Sequence, residues 1–389
     1  MANLISQSII DIINNKIVPN LHGEDFETVT LDNLVSFGKS MSELDANSLK
    51  DYTNTFITAI INTEFNVAEV ELLKLPIFKD ALKYGAITQS IYRNGVTNAE
   101  ESHAFTLQNG STYDLETYHG FDFNVKVNDV DTSFRLVYSI PNTLYASAFT
   151  NIAPLVAYIH ECVANDMNEK ANALLLVALQ GFAVAHATNR VKLVTEFNDF
   201  ANPETPYEWE DITANVDLLR SFMAFAKSTI INTRRGMIAR SKKYNDGTVL
   251  ASTPISRNNL LVLGQFDEMM KTYAYANTYH DDEVRLPAHD IIDFWQNSGS
   301  DVIPAFDDVS KIDVTYGSTT EEEVTTPTRY ELDRVVAMAY DDRAISVMFA
   351  PNKVTNSYNG NGDFTTFYDY YTSRRNVETR ANGVIFTLE

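Results

Sequence analysis

A single long helical pattern limits the possible folds of this chain more than any other feature of its sequence. It reads "NIAPLVAYIHECVANDMNEKANALLLVALQGFAVAHA" over residues 151–187, with apolar residues at helical spacing along one side. Asn151 can cap its start, and Pro154 suits its first turn. A continuous helix of this kind is about 50 Å long, so it must span a whole domain and support the elements around it. We expect a bend or an early end at Gly181.

Three side chains on this helix could suggest chemistry, but each has a simpler structural interpretation. Cys162 lies on the apolar side of the helix, which favours burial over a reactive thiol. We interpret His160 and His186 in the same way. Because Cys162 is the single cysteine, the chain has no intramolecular disulfide framework and no multi-cysteine metal cluster, as is typical of a reducing compartment.

The residues before the helix show a strand pattern. Apolar and polar residues alternate over 121–127, and Asn-Gly pairs at 94–95 and 109–110 are typical of turns. Strands with one polar face are typical of antiparallel ribbons that are open to solvent on one side. We therefore predict long antiparallel strands, in a projecting hairpin, between residues 85 and 140.

The start of the chain is polar and contains short helical patterns. Apolar residues recur at helical spacing over 4–13, which predicts an amphipathic helix that ends before Pro19. This segment lacks the basic start of a secretory signal, and its apolar stretches are too short to cross a membrane. We expect an extended arm over 1–65 and a chain that stays in the cytoplasm.

Strand and helix patterns alternate beyond the long helix, which predicts a compact α/β insertion over 201–345. Within it, the polar and acidic run "YGSTTEEEVTTPTRYELD" at 316–333 favours an exposed loop. Strand patterns return over 346–389. There Asn382 and Gly383 predict a tight turn that joins "NVETRA" to "VIFTLE" in a terminal hairpin.

The charge of the chain is strongly negative. It has 30 Lys and Arg against 52 Asp and Glu, a formal net charge of −22 at pH 7. Such a field repels nucleic acid and anionic lipid, which argues against tight DNA binding along a groove.

Two groups of cations contrast with this charge, one in "NTRRGMIARSKKYNDG" and one in the ending "FYDYYTSRRNVETRANGVIFTLE". We predict that their arginines pair with carboxylates of neighbouring copies of the chain. Ordinary pairing within the chain is the open alternative for each of them, because many surface ion pairs contribute little. The candidate residues are Arg234, Arg235, Arg240, Arg374, Arg375 and Arg380.

The chain contains none of the common sequence signatures of enzymes. Phosphate-binding loops, dinucleotide-binding turns, nucleophile elbows and zinc-binding His pairs are all missing from the sequence. One segment, "YHDDEVRLPAHD", holds residue types that can bind a divalent metal: His280, Asp281, Asp282, Glu283, His289 and Asp290. Its spacing matches no metal template, and a solvated acidic loop explains it as well. We predict no catalytic residue, no metal and no cofactor.

The order of these parts resembles the major capsid proteins of tailed bacteriophages, whose fold is named for phage Hong Kong ninety-seven. The resemblance rests on "KYGAITQSIYRNG", on "FRLVYSIPNTLYASAFTN" leading into the long helix, and on "NSYNGNGDFTTFYDYYTSRRNVETRANGVIFTLE". It is closest in texture to the small podoviruses of the phi-twenty-nine type that infect Gram-positive hosts. The implied fold is α+β, with an arm over 1–65, an extended β-hairpin loop over 66–140, a peripheral domain with the spine helix over 141–200 and 346–389, and an axial α/β domain over 201–345. The terminal hairpin would complete the sheet of the peripheral domain.

The resemblance implies a structural protein that assembles, as hexamers and pentamers of itself, into an icosahedral shell around a double-stranded DNA genome. The implied partners are further copies, portal and scaffold proteins, and packaged DNA in loose contact, with no membrane. The implied location is the virion, after assembly in the host cytoplasm. No residues for covalent crosslinking can be carried over, so we predict noncovalent assembly. The alternatives are an encapsulin-like compartment shell and, from a different class, an acidic metal-dependent hydrolase using His280, Asp282 and His289.

Overall fold

The computed structural model describes residues 14, 30, 75–79, 88–94, 122–128, 131–141, 153–275, 286–316, 319–320, 323–324, 328–350, 354–359, 361 and 364–389. The predicted arm therefore lies outside the described residues, apart from Asn14 and Thr30. The chain forms two compact units. The first contains the described residues of Met1–Gly85, Asp131–Leu174 and Met348–Arg374, and the second those of Ala86–Val130, Leu175–Val347 and Arg375–Glu389.

The predicted long helix is a single helix, α1, over Ala153–Ala185. Its 33 residues correspond to about 50 Å. Of the two alternatives expected at Gly181, a bend or an early end, the early end is wrong because α1 continues to Ala185. A Cβ atom at Gly181 would lie 3.3 Å from Cγ2 of Val377, so the missing side chain lets this neighbour pack closely against the helix. Burial of Leu175, Leu179 and Phe182 on either side of Gly181 offsets the low helix propensity of glycine.

A five-stranded mixed sheet forms the centre of the second unit. Its strands, in spatial order, are β5 (Arg190–Lys192), β16 (Gly383–Thr387), β12 (Val335–Asp341), β6 (Asn258–Leu263) and β7 (Asp290–Ile292). Strand β12 is antiparallel to both β16 and β6, whereas β16 with β5 and β6 with β7 are parallel pairs. Every residue of β12 and β16 is buried, which explains their continuous apolar runs.

Helices of the second unit alternate with these strands, as predicted for 201–345. They are α2 (Leu193–Ala201), α3 (Trp209–Ala214), α4 (Val216–Gly236), α5 (Gly264–Met270) and α6 (Phe306–Val309). Helix α4 buries one stripe, Leu219, Phe222, Met223, Ala226 and Ile230. The Asn215 side chain caps its start by accepting from the backbone N–H groups of Asp217 and Leu218.

The described residues of the acidic segment 316–333 are mostly in paired β-strands rather than in the predicted loop. Strand β8 (Ile312–Tyr316) pairs antiparallel with β11 (Thr328–Leu332), and between them lie the short strands β9 (Thr319–Thr320) and β10 (Glu323–Val324). The Arg329 guanidinium donates to the Asp313 carboxylate across β8 and β11. Threonine, valine and tyrosine favour strands, and here they outweigh the polarity of the segment.

A second sheet belongs largely to the first unit, and side chains of its strand β15 alternate between two faces. It contains β1 (Phe78–Lys79), β13 (Ile345–Ala350), β15 (Phe364–Val377) and β14 (Val354–Asn359) in order, with β4 (Asp131–Pro141) also paired to β15. Phe367 and Tyr371 are buried on one face, whereas Tyr370 is exposed on the other. Two ring pairs, Tyr138 with Phe367 and Phe134 with Tyr371, stack across β4 and β15.

The strands of the predicted projecting hairpin are also present. Strand β2 (Thr88–Asn94) pairs antiparallel with β3 (Asp122–Asn128), in a register that joins Thr88 to Asn128 and Asn94 to Asp122. The turn predicted at 109–110 lies outside the described residues.

The predicted terminal hairpin is wrong. Strands β15 and β16 lie in different sheets, and β16 pairs with β12 and β5. Gly383 is needed for close packing, not for a tight turn, because a Cβ atom there would lie 2.7 Å from the Phe182 ring and 2.9 Å from Cε1 of His186. An Asn-Gly pair is compatible with a tight turn and also with close packing at the glycine, so the sequence pattern does not distinguish between these two structures.

Candidate intersubunit surface

The basic segment after α4 is an anchored loop. Ser241 and Ala251 exchange backbone hydrogen bonds of 3.0 Å, and the Thr253 N–H donates to the Met237 carbonyl at 2.9 Å. The side chains of Arg235, Arg240, Lys242 and Lys243 are exposed on this segment, and we call these four residues the basic end. Lys243 lies over the Tyr244 ring at 5.4 Å. Across the described ranges, no ion pair involves Arg235, Arg240 or Lys242.

Arg234 differs from these neighbours because it has partners within the chain. Its Nε donates to Oδ1 of Asn258 at 3.0 Å, and Nδ2 of Asn258 donates back to the Arg234 carbonyl at 3.0 Å. Burial lowers the pKa of the Arg234 guanidinium. Arg234 therefore connects the end of α4 to the start of β6. For this arginine, the structure supports pairing within the chain and not pairing with a neighbouring copy.

A buried polar network holds the basic loop to the C-terminal segment. Nδ2 of Asn382 donates to Oγ1 of Thr253 at 3.0 Å and to the Met237 carbonyl at 3.3 Å. Asn382 Oδ1 accepts from Nδ2 of Asn245 at 3.3 Å. Thr253 in turn donates to Oδ2 of Asp341 at 2.8 Å. The network gives Asn382 its role, which is to fix the loop rather than to form a turn.

The Asp341 carboxylate at the end of this network is fully buried and is held in its charged form. Burial by itself would raise the pKa of Asp341, but hydrogen bonds from Arg343 and Thr253 lower it overall. Nε of Arg343 donates to Oδ1 at 3.0 Å, and Nη2 of Arg257 lies 3.8 Å from Oδ2. The charge of Asp341 therefore organises two arginines around the base of the loop.

The three arginines of the C-terminal segment occupy different environments. Arg374 is buried, whereas Arg375 and Arg380 are partly exposed. Burial alone would raise the pKa of Asp246, but hydrogen bonds from Thr248 and Thr379 and the charge of Arg380 lower it. The six predicted arginines therefore differ in exposure, and Arg380 is the one of the C-terminal three that lies near Asp246 of the basic loop.

An acidic surface lies at the other end of α4, and the sequence patterns did not identify it. It consists of exposed carboxylates in or beside the first turns of three helices, and we call it the acidic end: Glu208, Glu210, Asp211, Asp217, Asp307 and Asp308. Nη2 of Arg334 contacts Glu210 and its Nε lies 3.1 Å from Oδ1 of Asp307, which joins α3 to α6. Hydrogen bonding to Arg334 lowers the pKa of Glu210. The recurrence of acidic residues at helix starts was the available signal.

The residues considered for a metal site have other contacts where the structure describes them. Nε2 of His289 lies 3.2 Å from Oδ1 of the buried Asp267, whose Oδ2 is 2.8 Å from Nζ of Lys271. Residues 280–283 lie outside the described residues. Among the residues that the structure describes, no three His, Cys, Asp or Glu side chains are grouped so that they could hold a metal.

None of the helices in the described ranges is both long enough and apolar enough to cross a bilayer.

Comparisons with known proteins identify the family. The family model for the Phi29-like phage major capsid protein matches residues 10–387. Among solved structures, the chain is similar to the capsid of Staphylococcus phage Andhra, at 12% identity over 80% of this chain and 83% of that chain, with a TM-score of 0.48. It is also similar to the capsid of Cyanophage P-SCSP1u, at 11% identity over 80% of this chain and 86% of that chain, with a TM-score of 0.44. No curated protein matches the chain.

The family match carries the assignment, because it extends over nearly the whole chain, whereas the structural likenesses have low identity. A mixed α and β fold with a long helix, two sheets and exposed charged ends is consistent with it. The chain belongs to the Phi29-like phage major capsid protein family.

Proposed function

We propose that this capsid protein builds its shell through noncovalent contacts in which exposed arginines of one copy pair with carboxylates of the next. As a member of its family it is a structural protein of the virion, and copies of it assemble into an icosahedral capsid. The structural role replaces the alternative of an acidic metal-dependent hydrolase. No feature of the described residues favours the other alternative, an encapsulin-like shell that holds a cargo enzyme.

The observation that carries the proposal is the state of the basic end. Arg235, Arg240 and Lys242 are exposed and make no ion pair with the described residues, although the chain has a net charge of −22. In an acidic chain, cations have many carboxylates available nearby, so unpaired ones at an anchored loop are suited to a partner outside the chain. Arg375, which is partly exposed, is a further candidate for a partner outside the chain, and so is the partly exposed Arg380, although its charge also acts on Asp246 within the chain. Arg234 and Arg374 fit it less well because of their burial.

We also propose domain roles for the two units. The second unit, with the five-stranded sheet around β12, acts as the axial domain, and the first unit, with β4 and β15, acts as the peripheral domain. The contact-based division at Leu174 and Arg374 supports this assignment, with boundaries that differ from those expected at 200 and 346. Strands β2 and β3 begin the extended hairpin loop, and the arm over 1–65 reaches a neighbouring copy.

The remaining partners are proposed from the family role. Five and six copies form the pentamers and hexamers of the shell, assembly takes place in the host cytoplasm, and portal and scaffold proteins take part in it. Packaged double-stranded DNA makes only loose contact, because the net charge of −22 opposes adsorption to the inner wall.

Electron microscopy of the expressed protein tests the proposed contacts. We expect closed shells or rings for the natural sequence and monomers or small oligomers for Arg375→Ala, with unchanged far-UV circular dichroism. Arg375 is partly exposed and forms no ion pair within the described ranges, so we expect its replacement to leave the fold intact. Normal shells from Arg375→Ala would show that this arginine does not take part in the contact between copies. A natural chain that stays monomeric with scaffold present would contradict assembly through these surfaces.

A further inference from the structure

The second unit carries opposite charges at the two ends of one helix. Helix α4 runs over Val216–Gly236 and is about 31 Å long, with the acidic end beside its first turns and the basic end beyond its last turn. The acidic end has six exposed carboxylates near two arginines, Arg220 and Arg334. The basic end has four exposed cations near one exposed carboxylate, Asp246. One unit thus carries two complementary surfaces.

The two ends cannot neutralise each other within one chain. The part of α4 between them is longer than the Debye length of about 8 Å at physiological ionic strength, so each end is largely screened from the other. The helix dipole accounts for Asp217 in the first turn of α4 and for Arg234 and Arg235 in the last. It does not account for Arg240 or Lys242, which follow the helix in the anchored loop.

Exposed apolar side chains lie beside both charged ends. Ile238 lies within the basic loop, and Ile255, 77% exposed, is two residues beyond Thr253, which is hydrogen-bonded to the loop backbone. Near the acidic end, Val216 precedes Asp217, and Val302 and Ile303, 102% and 83% exposed, precede α6. Exposed ion pairs alone contribute little, and burial of these apolar groups is the stronger source of affinity.

We propose that the basic end of one copy docks on the acidic end of the next copy, in a head-to-tail contact that closes into a ring. This inference rests on the proposed function and specifies which acidic surface receives the arginines. Two different patches meet in the contact, so it is heterologous, and such contacts close into rings when the rotation between copies allows it. Ile238 and Ile255 pack against Val216 and Val302 of the neighbour, while the charges set the register.

Charge reversal at each end, and at both ends together, tests this contact. The basic-end variant is Arg240→Glu with Lys242→Glu, and the acidic-end variant is Asp217→Lys with Asp308→Lys. Arg240, Lys242 and Asp308 make no ion pair in the described part of the chain, and Asp217 makes only an exposed one with Arg220. We expect each double variant to reduce the yield of shells at least tenfold, and the fourfold variant to regain most of the natural yield.

Mixing the two double variants gives a second readout. At the exchanged positions, one variant is then acidic at both ends and the other is basic at both ends. These positions face opposite charges only where the two variants alternate around a ring. Alternation is possible with six copies and impossible with five. We expect six-membered rings or sheets by electron microscopy, without closed shells.

A matched control changes the net charge by the same amount outside both ends, with Arg135→Glu and Lys192→Glu. Both residues are exposed and make only surface contacts in the described ranges, Arg135 with the Tyr368 ring and Lys192 with Glu389, and the control should form shells. Thermal unfolding of every variant, unassembled, should remain within a few degrees of the natural protein. A fourfold variant that stays unassembled, double variants that form normal shells, or a control that also fails would each overturn the head-to-tail contact.

Two further results distinguish a wrong contact from a general failure of assembly and from DNA binding at the basic end. If the natural protein fails to assemble under the same conditions, the proposed mode of assembly fails and the head-to-tail contact fails with it. If the basic-end variant forms normal shells that hold less DNA, the basic end contacts nucleic acid and the contact between copies is refuted.

Discussion

Gly383 marks the place where strand β16 comes closest to helix α1. Close packing requires a glycine at this position, because the Phe182 ring and Cε1 of His186 occupy the space where a Cβ atom would lie. The same close approach buries His186 completely. Single residues at this junction therefore affect the free energy of unfolding more than exposed residues elsewhere.

Gly383→Ala should destabilise the second unit. The added methyl group would lie 2.7 Å from two carbons of the Phe182 ring, so ring or strand must shift. We expect a loss of about 1–3 kcal/mol in the free energy of unfolding, measured by urea titration. Phe182→Leu combined with Gly383→Ala should recover part of this loss, and equal stability of Gly383→Ala and the natural protein would refute the role of close packing.

His186 should make stability depend on pH. Desolvation by burial lowers its pKa from 6.5 to about 4, although its contacts near Glu378 and Asp246 work to raise it. The unfolded chain therefore binds a proton first as the pH falls, so stability decreases between pH 6.5 and pH 4 by about 3 kcal/mol from this group. His186→Gln should remove this part of the slope in unfolding experiments at a series of pH values. An unchanged slope would show that carboxylates alone produce it.

Adjacent arginines at the end of α4 should respond differently to replacement. Arg234→Ala removes hydrogen bonds to Asn258 and should cost about 1–3 kcal/mol of unfolding free energy. Arg235→Ala, the matched control, removes an exposed side chain without an ion pair in the described residues and should cost less than about 0.5 kcal/mol. Shell yield should fall for Arg235→Ala despite its intact fold. A larger stability loss for Arg235→Ala than for Arg234→Ala would contradict these assignments.

At the scale of elements, the last strand has an importance that its terminal position does not suggest. All five residues of β16 are buried, and β12 and β5 pair with its two edges. The helix α1 and the basic loop both depend on this strand, through Gly383 and Asn382 respectively. The C-terminal segment thus belongs to the core of the second unit.

Deletion of residues 381–389 should therefore abolish folding of the second unit. It removes β16 from the interior of the sheet and leaves the edges of β12 and β5 unpaired. We expect insoluble protein, or a soluble chain without a cooperative thermal transition. Glu389→Ala is the matched control, since it removes only the partly exposed ion pairs to Arg190 and Lys192, each worth about 0–1 kcal/mol. A cooperative transition in the truncated chain would contradict the central role of β16.

At the scale of the whole molecule, an acidic chain must still associate with copies of itself. The net charge of −22 makes copies repel at long range, so contact requires local complementarity that the average charge does not reveal. The opposite ends of α4 provide such complementarity.

Assembly without covalent links should be visible on a denaturing gel. Mature particles boiled in detergent should run as one band at the mass of a single chain, because the sequence carries no recognisable set of crosslinking residues. Particles treated with a chemical crosslinker provide the reference ladder of multimers. The same ladder from untreated particles would contradict noncovalent assembly.

Local sequence patterns determined much of this protein correctly. The period of the apolar residues predicted α1, the alternation in 121–127 predicted β3, and the alternating patterns of 201–345 predicted strands and helices of the second unit. These features depend on neighbours within a few positions along the chain, so periodicity is enough to identify them. The resemblance of three segments and of the order of the parts to phage capsid proteins predicted the capsid role, which the family match confirms.

Only the tertiary structure decided the partners of distant segments. It moved β16 from a hairpin with β15 into the sheet of the second unit, gave Arg234 a partner in Asn258, and showed acidic side chains of α3, α4 and α6 as exposed surface. Pairing between β16 and β12 joins residues that lie 43 to 52 positions apart, from Tyr340 with Gly383 to Val335 with Thr387. Several strands of similar composition could compete for each edge. The choice among them depends on burial and close packing, such as Gly383 against Phe182, which no local pattern encodes.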